Sequence, residues 1–371
     1  MPRNRSTSVF LLAFALAPGL AVADAPGGAV EIHGYGAWSY GRSDSDVNRY
    51  HESTRDGDAG YHSLALTLSS QATERVKVSA QVWWESTAAD DEQTATIDYA
   101  FGEWRHSDPF RLRIGQIKHP FGIYTEIFDV GTLRPLFWLP EGIYGQAGIV
   151  AEAYRGAGLT GTFFRGGQQF DYDLYVGETD LESQGVHAAD GEGMEEEPDE
   201  VALRDLAGGR LTVVPGGVDL RLGLSAYTGR AKGETAKRHS TLGAQAEWNS
   251  GSWSVRSEFV VAAQSTGTDV QAWYLEASRT LGRGVQLAAR VDRSRTTLGE
   301  GADAFAPSYL DHEDLTAGLN YWFAPDLVAK FSASRVHGNR FARPEDPGAS
   351  LAEGEPEQTT KLISLGVQFA F

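Results

Sequence analysis

The stretch Lys361-Leu362-Ile363-Ser364-Leu365-Gly366-Val367-Gln368-Phe369-Ala370-Phe371 decides the fold. Successive side chains of a strand point to opposite faces, so Ile363, Leu365, Val367, Phe369 and Phe371 share one apolar face. In a soluble protein, a strand of this kind at the end of the sequence is an exposed edge that invites pairing with other chains. In a closed barrel it pairs with the first strand and the edge disappears.

The same period of two recurs back along the chain, in residues 64–69, 76–82, 218–224 and 315–321. About sixteen such segments are spaced as a transmembrane barrel spaces them, starting near residues 29, 60, 74, 94, 110, 155, 168, 203, 218, 239, 252, 268, 284, 312, 327 and 358. Short turns follow every second strand, at 70–74, 106–109, 166–168, 215–217, 249–252, 281–284 and 324–326. Longer charged connections lie between them, at 42–59, 179–200, 297–311 and 340–357. A sandwich or β-helix also alternates, but neither predicts a short-long rhythm of connections. Aromatic residues gather near segment ends, as in Trp83-Trp84, Trp248, Trp253 and residues 321–323, which suits anchoring at a membrane interface.

Composition supports this fold class. Hydrophobic residues make up 41% and charged residues 22%, so the chain can build a packed structure. Mean hydropathy is -0.32, and no apolar run beyond the first 20 or so residues reaches the length of a spanning helix. The net charge of -18 makes nucleic acid a poor partner, and the absence of cysteine excludes disulfides and a lipid-modified cysteine. At the front, Arg3 and Arg5 precede a short apolar core at residues 9–16. Pro18-Gly19 and Ala21-Val22-Ala23 follow it. These are the three parts of a cleavable export signal, residues 1–23, ahead of one barrel domain over residues 24–371.

The terminal strand resembles the assembly signal of bacterial outer-membrane barrels, with Phe369 and Phe371 as the residues that barrel-assembly machinery would read. A second resemblance lies at Gly115-Gln116-Ile117-Lys118-His119-Pro120-Phe121-Gly122, which is similar to the start of the third outer connection in phosphate-selective and related porins. Together they imply an all-β, antiparallel transmembrane barrel of about sixteen strands in the outer membrane, with its long third outer loop folded into the lumen. They also imply outer-membrane lipid and lipopolysaccharide as surroundings, a homotrimer, and small hydrophilic solutes as cargo.

The residues agree that the third connection is unusual. Residues 118–154 have no strand period and contain Pro120, Pro135 and Pro140. They are rich in Phe, Trp, Leu and Ile, so they need something to pack against. If this loop forms the constriction, Lys118, His119 and Arg134 oppose Glu126, Asp129 and Glu141. Strand alternation aims Arg111 and Arg113 inward, along with Lys77, Asp98, Asp171, Asp173, Asp219, Arg221, Glu247, Arg256, Glu258, Arg290, Asp292 and Lys330. A lumen lined with both signs suits a water-filled pore for passive diffusion of ions and small polar solutes. Arg111 and Arg113 would give its constriction a local attraction for anions or carboxylates.

Residues 179–200 hold nine acids and no Lys or Arg. They read as a solvated outer loop or, alternatively, as a place where divalent cations bridge to lipid phosphates; Asp190-Gly191-Glu192-Gly193-Met194 does not complete a calcium loop. No catalytic motif, metal site or cofactor site stands out. His62, His239, His312 and His337 have no recognisable partner arrangement. The rival readings are a barrel enzyme with catalytic groups on its outer rim, a non-pore adhesin working through its acidic loops, and a soluble secreted β protein.

Overall fold

The computed structural model describes residues 28–45, 48, 50–51, 53–86, 94–145, 147–183, 199–232, 237–265, 267–298, 310–342 and 358–371. The expected export signal and most of the acidic 179–200 connection lie outside the described residues. Sixteen strands are present among them: β1 Val30–Ser43, β2 His62–Thr73, β3 Val76–Ser86, β4 Thr94–Ser107, β5 Phe110–Lys118, β6 Ala153–Arg165, β7 Gln168–Ser183 and β8 Asp199–Val214, then β9 Leu220–Ala231, β10 Arg238–Ser250, β11 Trp253–Ala263, β12 Thr268–Gly282, β13 Val285–Leu298, β14 Asp311–Ala324, β15 Leu327–His337 and β16 Thr359–Ala370. Each pairs antiparallel with its sequence neighbours, and β16 pairs with β1 to close the barrel. The strands run from 9 to 16 residues, enough for a tilted strand to cross a hydrocarbon layer, which takes about 9–11.

The barrel inverts the burial of a soluble protein. Ile114, Leu224 and Leu315 are about 60% exposed on the outside, while Asp292, Lys330 and His312 are buried inside. Outward rings crowd the end that carries the tight turns: Trp104, Phe110, Phe164, Trp248, Trp253 and Phe323 are all exposed beside those turns. This is the position of an aromatic girdle at a membrane interface.

The seam is built from glycine and phenylalanine. Gly34 and Phe371 exchange two backbone hydrogen bonds of 2.9 Å. A β-carbon on Gly34 would fall 2.2 Å from the Phe371 ring, and one on Gly36 would fall 2.3 Å from the Phe369 ring. The two rings therefore lie flat over bare backbone of β1. Ile363, Leu365, Phe369 and Phe371 face outward, as their alternation predicts.

Candidate functional site

The connection between β5 and β6, residues 119–152, carries among its described residues only two 3-10 turns and one short helix, α1 Glu141–Tyr144. Pro120 has no N–H with which to extend the β5 ladder, and the chain turns inward there. His119 is the pivot. It is fully buried, its Nε2 lies 2.8 Å from the Tyr175 hydroxyl, and it packs against Phe121, Tyr154 and Tyr227. Burial pushes its imidazole down to about 3, so it is neutral at ordinary pH.

A loop with so little secondary structure must have its backbone satisfied from elsewhere. The wall does this. Lys330 on β15 donates from Nζ to the carbonyls of Gly131, Arg134 and Leu136 at 2.8, 2.5 and 3.3 Å. Asn320 on β14 donates to Pro135 O at 2.7 Å, and Arg290 on β13 to Trp138 O at 2.8 Å. In the other direction, Gly142 N–H donates to Asp292 at 3.0 Å and Gly122 N–H to Ser225 on β9 at 3.2 Å. Glu258 on β11 accepts from Ile123 N–H and, at 2.6 Å, from the Tyr144 hydroxyl. Arg256 Nη1 lies 3.0 Å from both the Tyr124 hydroxyl and Leu133 O, while its Nε pairs with Glu247 at 2.7 Å. Arg210 on β8 bonds to Glu126 and, at 2.9 Å, to Asp173. Gly366 on β16 leaves room for the Phe137 ring. A segment that reaches so many strands around a closed barrel runs through its interior.

The loop is latched on the opposite wall. Asp129 lies 3.0 Å from Lys118 Nζ and accepts from Gln81 Nε2 at 2.6 Å. The same two groups hold Asp98, at 2.7 and 2.5 Å. One ammonium and one amide thus bridge two carboxylates, one from β4 and one from the loop.

Beside the latch, on the side of the long connections, a cavity of about 580 Å³ remains open between the loop and strands β1–β7. Seven carboxylates line it (Glu85, Asp98, Asp129, Glu141, Glu152, Asp180 and Glu182) against Arg134 and Arg155. Arg155 is itself bonded to Asp180 at 2.7 Å and Glu178 at 3.2 Å. His51 lies 3.4 Å from Glu141 and stacks on Trp138 with ring centres 4.1 Å apart. Glu152 is exposed to this vestibule, within the barrel and away from bulk water. That desolvation, reinforced by Asp129, Asp98 and Glu182, pushes its carboxyl up to about 8 against the pull of Lys118.

The charges on the other side of the loop differ. Arg111 and Arg113 sit in the half of β5 next to its tight turn. Arg113 pairs with Glu103 at 2.7 Å and lies over the Phe101 ring. Arg111 and Arg221 have no carboxylate within 4 Å among the described residues. Burial works against the charge of Glu126, but Arg210, with Arg113 and Arg221 behind it, holds this carboxyl below its usual range. Lys77 lies nearer the tight turns, 4.0 Å from Glu31.

The sequence-predicted residues thus fall into three groups. Asp98, Lys118, Asp129, Arg134 and Glu141 meet at the vestibule. Arg111, Arg113, Glu126 and Arg221 share the opposite side of the loop. Arg256, Arg290, Lys330 and His119 hold the loop in place. Sequence reasoning passed over Gln81, Glu85, Glu152, Arg155, Arg210 and Asn320, and it read Asp180 and Glu182 as part of the acidic outer connection, whereas they end β7 and line the vestibule. For Arg210 the missing signal is a bulge: the register shift between Arg204 and Ala207 exchanges the two faces of β8.

A closed sixteen-stranded antiparallel barrel, apolar outside, charged inside and crossed by its third long connection, is the fold of the bacterial outer-membrane porins. No protein-family model and no curated protein matches the sequence. Solved structures do match. Salmonella typhi OmpF, in complex with daunomycin, is similar with a TM-score of 0.60 and 11% identity, over 93% of this chain and 98% of that one. The outer membrane channel DcaP of Acinetobacter baumannii gives 0.59 and 9%, over 94% and 99%. The anion-selective porin from Comamonas acidovorans gives 0.58 and 11%, over 92% and 99%.

Proposed function

We propose that the chain forms a water-filled channel in a bacterial outer membrane, through which small hydrophilic solutes diffuse passively. The observation that carries this reading is the open, charge-lined vestibule left between the third long connection and β1–β7 inside a barrel with an apolar outer face. A barrel of sixteen strands is wide enough for an aqueous path unless it is filled, and here the filling is incomplete. The names of two similar structures, an outer membrane channel and a porin, support the same activity.

Selectivity follows from the balance of charge. Arg111 and Arg113 favour anions or carboxylates, and one similar structure is named an anion-selective porin. Against this, Glu103 neutralises Arg113, and the vestibule holds seven carboxylates to two arginines. The long connections add to the acid excess: residues 184–198 and 299–309 carry acids and no Lys or Arg. In our reading the vestibule sets the sign, so the channel prefers cations, and the arginines beyond it orient the carboxylate end of dipolar solutes.

Planar-bilayer recording tests both parts. The expected result is stable open steps, with a reversal potential in a salt gradient of the sign for cation preference. Purified protein that gives no open steps overturns the channel; open steps with anion preference overturn the charge argument alone.

A further inference from the structure

Most charges of the vestibule are already paired. Asp98 and Asp129 share Lys118 and Gln81, and Asp180 holds Arg155. Glu141 lies 3.4 Å from His51, and Glu85 and Glu182 are also engaged. Two lining groups of opposite sign remain. The Arg134 guanidinium makes no hydrogen bond or ion pair among the described residues, and its Nε is buried without a partner. The Glu152 carboxyl makes none either and is exposed to the cavity. Buried donors are normally bonded, so an unpaired guanidinium marks a place for an acceptor that the chain itself does not supply.

Both groups are fixed at the main chain while their side chains stay open. The Arg134 carbonyl accepts from Lys330 at 2.5 Å, and the Glu152 carbonyl accepts from His119 N–H at 2.9 Å. No ion pair joins the two side chains, so they stand more than 4 Å apart. A solute that meets both must carry its charges at separate ends. In an α-amino acid both charges sit on one carbon, whereas two extended residues reach about 7 Å. Tyr61, Trp83, Phe128 and Trp138 line the same cavity. His51 stacks on Trp138 with ring centres 4.1 Å apart, and Tyr61 meets it edge-on at 4.8 Å. These rings offer flat apolar surface to a planar side chain. The volume of about 580 Å³ falls within the usual range for small-molecule sites.

We propose that the vestibule binds a zwitterion of dipeptide size with an aromatic side chain, its carboxylate on Arg134, its ammonium on Glu152 and its ring against Tyr61 and Trp138. The inference rests on the channel reading above and deepens it: this solute is held on its way through, so its passage saturates. A guanidinium takes a carboxylate through two parallel N–H donors. Desolvation, with Asp129, Asp98 and Glu182 against the pull of Lys118, pushes the Glu152 carboxyl up to about 8, so it carries a proton at pH 7 in the empty site. An arriving ammonium displaces that proton, and binding releases it.

Titration calorimetry of the full chain, folded in detergent, tests the site with alanyl-phenylalanine, its N-acetyl form, its carboxy-terminal amide and diglycine. The free dipeptide binds. Each capped form binds roughly 10-fold more weakly or worse, as does diglycine, which lacks the ring. Arg134→Gln weakens the free dipeptide and no longer separates it from the amide, and Arg134→Lys, which keeps the charge, recovers part of the loss. Glu152→Gln no longer separates the free dipeptide from its N-acetyl form and releases no proton, as read from heats in two buffers. A merely structural role for either residue would weaken all four ligands alike and leave these preferences in place. Equal binding of the dipeptide and its amide by wild-type protein, or a preference for the free carboxylate that survives Arg134→Gln, overturns the proposal. Bilayer recording of the same preparations separates the two readings. Open steps without dipeptide binding overturn the site alone, and binding without open steps overturns the channel alone.

Discussion

Phe371 and Gly34 close the barrel together: their backbones exchange two hydrogen bonds, and the phenylalanine ring occupies the space that a side chain at position 34 would need. Gly34→Leu is therefore expected to lower the yield of closed barrel sharply, and Gly34→Ala to give an intermediate yield. Phe371→Ala in the Gly34→Leu background restores part of the loss by freeing the space. Heat-modifiable migration on gels, which separates closed from open barrels, measures all three. Full yield from Gly34→Leu refutes the seam geometry.

The latch at Lys118 holds two carboxylates with one ammonium. Lys118→Met leaves Asp98 and Asp129 facing each other with only Gln81 between them. Removing one partner of a buried ion pair costs about 3–5 kcal/mol, and Asp129 is on a loop that can move away. We expect a lower urea midpoint together with a larger and noisier single-channel conductance. In Lys118→Met with Asp129→Asn, which removes the repulsion, the conductance returns toward wild type.

Lys330 supplies the donors for three loop carbonyls. Each buried acceptor left without a donor costs about 1–3 kcal/mol. Lys330→Met is expected to loosen the middle of the loop, seen as faster proteolysis between residues 131 and 136 and as open-channel noise. Ion selectivity stays the same, because the Lys330 ammonium is buried under the loop and does not face the vestibule.

Glu152 gives the vestibule a titration of its own. With its carboxyl pushed up to about 8, it is largely neutral at pH 6 and charged at pH 9. The vestibule gains a negative charge as pH rises across that range, so cation preference in reversal potentials should increase, and Glu152→Gln should flatten the rise. The folding linkage runs the same way. Because the folded state resists ionising this group, its contribution to stability is present below the ordinary glutamate value of 4.5 and is lost as pH climbs to about 8. A pH-independent reversal potential in wild type refutes the assignment.

Arg111→Ala with Arg113→Ala tests the opposite side of the loop. It removes one arginine without a carboxylate partner and one paired with Glu103. The expected shift in reversal potential is modest and toward cations. An unchanged potential means that these residues lie outside the conducting path.

The barrel was largely legible in the sequence because period-two alternation is set by strand geometry alone. Every strand begins within four residues of its expected position, the largest displacement being Asp199 against 203. The inward side chains were harder to read where a bulge exchanges the faces. Arg210 lies past the shift at Arg204/Ala207 and is not among the side chains that alternation aims inward. The loop's anchors were harder still. Asn320, Gln81 and Tyr144 are uncharged, and their roles depend on contacts between residues far apart in sequence. Charge patterning marks ionic residues but does not separate those that face water from those that hold backbone. Lys330 and Arg290 look like pore charges in the sequence and are donors to the loop in the structure.

The wall grips the third connection mainly by its main chain: carbonyls at 131, 133, 134, 135, 136 and 138, and N–H groups at 122, 123 and 142. Main-chain handles are the same whatever residue carries them. The path of the loop is thus uncoupled from the chemistry of the side chains it shows to the solute. Positions such as Arg134 and Glu141 form an exchangeable panel on a fixed frame, which can be rewritten for a different cargo without redesigning the barrel that holds it.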